Sequence, residues 1–109
     1  HGELNGARVL PAAAYDEMWA PQAETTWAEL FGPQVTNYGL GWFVGEFNGH
    51  PLVGNYGVDT GFQSHLGVFP EDGIAVVAMV NLCDPVNGPF YAYDIGNGIA
   101  ELLLGAKSE

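Results

Sequence analysis

A chain of 109 residues forms at most one domain and, if compact, buries roughly 65% of its unfolded surface. Nearly half of the residues are hydrophobic, which excludes an intrinsically disordered chain. Arg8 and Lys107 face thirteen carboxylates for a formal charge of −11, which excludes nucleic acid and anionic membrane surfaces as partners, because both need clustered Lys and Arg.

The acidity itself reads as a solubility device. Cys83 is the single cysteine, so no internal disulfide can form and the redox compartment stays open. No stretch reaches the ~18 apolar residues of a membrane span, and no signal peptide is visible. The chain opens on His1 rather than Met, and its first residue is expected not to be the start of the gene.

His1 to Leu10 is Gly-rich and polar and reads as a loop or turn. Pro11 suits the first helical position, where a missing N–H costs nothing. Ala12 to Trp19 is expected to be a short helix, with Ala14, Tyr15, Met18 and Trp19 on one side and Pro21 as its end. Gln22 to Asn37, interrupted by Pro33, reads as an irregular connection anchored by Trp27, Leu30 and Phe31.

From Tyr38 to Asn81 three turn signals separate four extended segments. Asn48-Gly49 marks a tight hairpin, because both turn positions need φ > 0. Pro70-Glu71-Asp72-Gly73 is a second tight connection. Gly57 and Gly61 bracket Val58-Asp59-Thr60, where a strand must bulge, break or admit something close to its backbone. In the first segment Leu40, Trp42 and Val44 alternate with Gly41, Phe43 and Gly45, so another layer is expected close over the Gly face. In the third, Phe62, Ser64, Leu66 and Val68 alternate with Gln63, His65, Gly67 and Phe69. Ile74 to Val80 is apolar on both faces and reads as a central strand covered on both sides.

A second helix is expected from near Pro89 to Leu104, with Ile95, Ile99, Leu102 and Leu103 as its buried stripe and Gly105 as its stop. Gly96 and Gly98 would let it approach the sheet closely. The fold class is therefore α+β: a four-stranded antiparallel meander, a short N-terminal helix and a longer C-terminal helix on the sheet. A strand buried on both faces needs two covering layers, and these helices supply too little. The chain, residues 1–109, is expected to be part of a larger domain.

The run Tyr38-Gly39-Leu40-Gly41-Trp42, the Gly57/Gly61-Phe62 spacing and Val68-Phe69-Pro70-Glu71-Asp72-Gly73-Ile74-Ala75-Val76-Val77 ending in Asn81 resemble the C-terminal part of the serine β-lactamase and penicillin-binding-protein superfamily. The similarity is greatest to its class C-like esterases and peptidases, and Arg8-Val9-Leu10-Pro11 resembles the segment that precedes the meander there. The resemblance implies a sheet with helices on both faces, a separate helical region, and acyl transfer through serine. It also implies a periplasmic or secreted setting.

That chemistry uses a Ser-x-x-Lys, a Tyr-x-Asn-like element and a Lys-Thr-Gly or His-x-Gly strand. Ser64 is followed three residues later by Gly67, Ser108 has no room for the motif, and no tyrosine has Asn two residues on. Gly61-x-x-Ser64-x-x-Gly67 is not the Gly-x-Ser-x-Gly elbow either. This chain therefore encodes no catalytic nucleophile. The third motif has a counterpart by resemblance: Asn55 stands for Lys or His, Tyr56 for Thr, Ser or Gly, and Gly57 matches. The next residue, Val58, would give its backbone N–H to an oxyanion hole. Read without the resemblance, Asn55 to Gly61 is a strand end and a turn.

His50 follows the hairpin Asn-Gly and is expected to be exposed, while His65 alternates with apolar neighbours and is expected to be structural. No His, Asp or Glu has metal-ligand spacing, so no metal and no cofactor is expected. Phe90, Tyr91, Tyr93 and Trp42 fit either a pocket lining or a core. Three readings follow. The first is the C-terminal portion of a serine hydrolase acting on a small amide or ester and completed by the missing N-terminal part of its domain. The second is a non-catalytic homologue, since Asn55 lacks the usual charge. The third is a free-standing module that pairs with a second copy through its open sheet face.

Overall fold

The computed structural model describes residues 2–25, 35–84 and 88–106. Within them the chain forms β1 (Glu3–Leu4), β2 (Ala7–Arg8), α1 (Ala12–Trp19), β3 (Ala23–Glu24), β4 (Val35–Tyr38), β5 (Phe43–Phe47), β6 (His50–Asp59), β7 (Phe62–Phe69), β8 (Ile74–Val80) and α2 (Tyr91–Leu104). The fold is α+β, as the sequence implies. The expected anchor of Trp27, Leu30 and Phe31 lies outside the described residues.

Two Asn-Gly pairs make tight turns of the same kind. Asn48 (φ 51°) and Gly49 (φ 85°) join β5 to β6, and Asn5 (φ 51°) and Gly6 (φ 77°) join β1 to β2. Left-handed geometry at both central positions twists the two strands into register. The second pair corrects the reading of residues 1–10 as a loop, since β1 and β2 form a small separate hairpin. The same dipeptide signal was present there, but its strands of two residues carry no visible alternation.

The main sheet holds six strands, not four, in the order β3-β4-β5-β6-β7-β8, with every neighbouring pair antiparallel. The two extra strands lie inside the stretch read as irregular. β3 is only two residues long, and its pairing of Ala23 with Tyr38 and Glu24 with Asn37 comes from its partner rather than from its own pattern.

The first segment of the meander also begins later than its alternation suggests. Leu40 to Trp42 form a bend with Gly41 at φ 80°, and the strand starts at Phe43. Among the described residues no layer packs on Gly41, where an added Cβ would meet nothing within 4 Å. The bend instead rests on α1: the Leu40 N–H donates to the Met18 carbonyl at 2.9 Å, and Trp19 meets Trp42 edge to face at 6.0 Å.

The core lies on one face of the sheet, beneath α2. Phe47, Leu52, Phe69, Val76 and Ala100 form one buried cluster, with Ile74 and Leu104 packed against it. Val35 and Phe43 form a second, with Tyr56, Phe90 and Tyr93. Burying a side chain such as Phe69 is worth about 2–3 kcal/mol.

The helix meets this face with small residues. Ala92, Gly96 and Ala100 are its buried positions, whereas the expected stripe is turned outward, with Ile95 46%, Ile99 38%, Leu102 89% and Leu103 59% exposed. The reason is volume: the sheet already presents Tyr56, His65 and Phe69, and a helix close to such bulk must offer small side chains. β8, expected as a central strand, is the last strand of the sheet and is covered on one face only among the described residues. Val76 and Ala78 are buried, but Val77 and Met79 on its other face are 60% and 78% exposed.

His50 corrects another expectation. It is buried, and its Nδ1 lies 3.0 Å from both carboxylate oxygens of Asp72. The β5–β6 and β7–β8 turns sit at the same end of the sheet, so an imidazole just after one turn reaches a carboxylate in the other.

Candidate functional site: the open face of β6

In an antiparallel strand successive side chains alternate between faces, and this divides the four predicted site residues. Asn55 and Gly57 belong to the open face. Tyr56 points the other way, under α2, and Val58, near the end of β6 and paired with Gln63, is 40% exposed.

Asn55 is a hydrogen-bonded connector. Its Nδ2 donates to the Gly41 carbonyl at 2.9 Å, and its Oδ1 accepts from the Tyr56 N–H at 2.9 Å. The side chain thereby ties the Leu40–Trp42 bend to the middle of β6. A neutral amide can both donate and accept, which lysine at this position could not do.

Tyr56 is part of an aromatic cluster under α2 and also borders the hollows beside Asn55. Its ring stacks on Phe43 at 5.4 Å, tilts against His65 at 5.0 Å and meets Tyr93 edge-on at 5.6 Å. Burial raises its hydroxyl above the usual tyrosine range, and neighbouring Tyr93 adds to this. Burial raises Tyr93 as well, a hydrogen bond to Asn97 opposes the shift, and Asp94 reinforces it. His65 is only 2% exposed, and burial lowers its pKa to about 4, so it is neutral at pH 7. Its Nδ1 has no hydrogen-bond partner among the described residues. This places His65 in the core.

Gln63 was not singled out in the sequence, although it holds the two layers together. It is buried on β7, where its Nε2 donates to the Pro89 carbonyl at 2.8 Å and its Oε1 accepts from the Ala92 N–H at 3.1 Å. The first N–H groups of a helix lack partners within the helix, and Phe90 at the cap offers no side-chain bond. Gln63 supplies that partner from the sheet. A polar residue inside an apolar alternation was the available signal.

Four concavities adjoin Asn55 to Val58, the smallest a crevice of about 10 Å³ between Tyr56, Phe90 and Tyr93. One of about 420 Å³ lies between Asn55, Tyr38 and Thr25, and one of about 390 Å³ between Asn55, Leu66 and Val77. The third, about 660 Å³, sits at the β6–β7 turn around Gly57, Phe62, Ser64 and Met79. A Cβ on Gly57 would meet the Ser64 hydroxyl, which would have to rotate away. Phe90 and Tyr93 line the small crevice against Tyr56 and pack against the core, whereas Tyr91 and Trp42 line none of the four.

An antiparallel sheet backed on one face by a C-terminal helix, with Asn55-Tyr56-Gly57 on an inner strand, makes this an α+β protein. The family model described as Beta-lactamase matches residues 2–96, and the chain belongs to that family. Comparison with curated proteins and with solved structures returned no match.

Proposed function

We propose that this chain is the C-terminal portion of a β-lactamase-like serine hydrolase of the class C-like esterase and peptidase branch. In that role it supplies the sheet and the strand at the pocket edge. Family membership carries the reading. The reaction is acyl transfer from a small amide or ester to serine, followed by hydrolysis of the acyl-enzyme. Because Ser-x-x-Lys does not occur in this sequence, the nucleophile and its base belong to a segment outside it.

The open sheet face supports the reading. Phe62, Val77 and Met79 are each at least 60% exposed on it, and contiguous apolar surface of this kind usually marks an interface. The rest of the domain is its occupant. At the edge of the pocket Asn55 offers hydrogen bonds in place of a cation, Gly57 admits the substrate close to the backbone, and Val58 contributes its N–H to the oxyanion hole. One observation favours a non-catalytic homologue instead: the Asn55 amide is neutral and already bonded to Gly41.

A fluorophosphonate probe, a chromogenic ester and a β-lactam test these readings on the full-length gene product and on the isolated chain. The full-length protein is expected to form a stoichiometric serine adduct outside these residues, and the isolated chain to form none. An adduct on Ser64 in the isolated chain, or none in the full-length protein, overturns the proposal. Light scattering of the isolated chain is expected to show a dimer or a complex with the missing part. A sharp monomer that unfolds cooperatively counts against an interface on this face, and so against both the incomplete domain and the paired module.

A further inference from the structure

The two edges of the main sheet differ in kind. At one edge β3 is only two residues long, too short to template another chain. At the other edge β8 runs for seven residues, and its pairing with β7 is unbroken from Gln63↔Val80 to Phe69↔Ile74. Among the described residues no strand pairs with its outer side. In an antiparallel ladder alternate residues turn their N–H and C=O groups to opposite neighbours, so about half of the backbone groups of β8 face outward. Native sheets block such an edge with charge, proline or a bulge. Ile74 to Val80 carry none of these. With Val76 and Ala78 buried toward α2 and Val77 and Met79 on the opposite face, β8 has the composition of an inner strand at an outer position.

We propose that the outer edge of β8 receives a further strand from the part of the domain outside this chain, joined by main-chain hydrogen bonds. The proposal rests on the reading of this chain as a portion of a larger domain, and it names the contact through which the two portions join. Charge decides against a second copy at this edge. Two β8 strands paired antiparallel would bring Glu71 and Asp72, which precede one strand, toward Asp84, which follows the other, and like charges across a strand pair are destabilising. The segment that fits is extended, about as long as β8 and apolar on both faces. Its ends carry Lys, Arg or no charge rather than Asp or Glu. It runs antiparallel, as every pair in the sheet does. Cover over Val77 and Met79 is a contact of side chains, whereas this one is made by backbone groups, so the two are measured separately.

The test is residue-resolved hydrogen exchange of the amides from Ala75 to Val80 in the full-length gene product, with through-hydrogen-bond NMR couplings to identify each acceptor. Both alternating sets of amides are expected to exchange at least about a hundredfold more slowly than unpaired amides. The set turned away from β7 should couple to carbonyls outside these 109 residues. In the isolated chain that set should lose its protection, while the set bonded to β7 keeps its own. Free exchange of the outward amides in the full-length protein overturns the proposal. Coupling to β8 of a second copy, or equal protection of both sets in an isolated monomeric chain, overturns it as well. Should the isolated chain not fold, the couplings in the full-length protein decide alone. The hydrolase reading fails separately: bonded outward amides without a serine adduct overturn that reading and leave the strand, and an adduct with freely exchanging outward amides does the reverse.

Discussion

His65 on β7 lies directly beneath Gly96 of α2, so close that a Cβ on Gly96 would overlap the imidazole ring. This one contact sets how near the helix comes to the sheet. The next helical glycine, Gly98, faces open space.

The two glycines should therefore respond oppositely to the same substitution. Gly96→Ala is expected to destabilise the chain by about 1–3 kcal/mol through overpacking. Gly98→Ala should stabilise it by about 0.4–1 kcal/mol, since alanine favours the helix and narrows the unfolded ensemble. Urea denaturation followed by circular dichroism measures both. Similar losses at the two positions would mean that the helix is not held against His65.

His65 also makes stability depend on pH. Its folded pKa of about 4 lies below the ordinary 6.5, so the unfolded chain binds the proton first as pH falls. The stabilisation is complete above pH 6.5 and is lost progressively down to about pH 4, with a limiting slope of about 1.4 kcal/mol per pH unit. Protonation of the many carboxylates relieves repulsion over the same range, so the informative quantity is the difference between wild type and His65→Leu. That difference should shrink as the pH is lowered. A constant offset from pH 7 to pH 4 would show that His65 titrates normally.

Gln63→Leu should cost about 1–3 kcal/mol, because the Ala92 N–H and the Pro89 carbonyl both lose their partner. Gln63→Glu retains an acceptor for Ala92 but buries a carboxylate oxygen against the Pro89 carbonyl, so it should cost at least as much as Gln63→Leu. Hydrogen exchange at Ala92 provides the local readout, with faster exchange expected in Gln63→Leu. Unchanged protection there would remove Gln63 from its capping role.

Asn55 bears on function in the full-length protein. Asn55→Lys adds the charge usual for the third motif and should raise kcat/KM for an anionic ester by about tenfold, while breaking the bond to Gly41. Gln22→Lys is the charge control, preferable to a substitution at Asn48, whose φ of 51° would strain lysine. An equal gain from Gln22→Lys would reduce the Asn55 effect to general compensation of an acidic protein.

The α+β class, the hairpin at Asn48-Gly49, the turn at Pro70–Gly73 and the span of both helices were all legible along the chain, because each depends on neighbours within a few residues. Glycine in the left-handed region, proline at a helix start and period-two alternation are local physics. The family was legible in the same way, through the order and spacing of short runs. Three other features were decided only when distant segments met. β3 became a strand because Tyr38 and Asn37 were there to pair with it. His50 became buried because a second turn placed Asp72 beside it. The helix turned Ala92, Gly96 and Ala100 inward, against the pull of Ile95, Ile99 and Leu102, because the sheet had already filled that space with Tyr56 and His65. Hydrophobicity ranks which residues favour burial, but the volume left between two packed layers decides which of them fit.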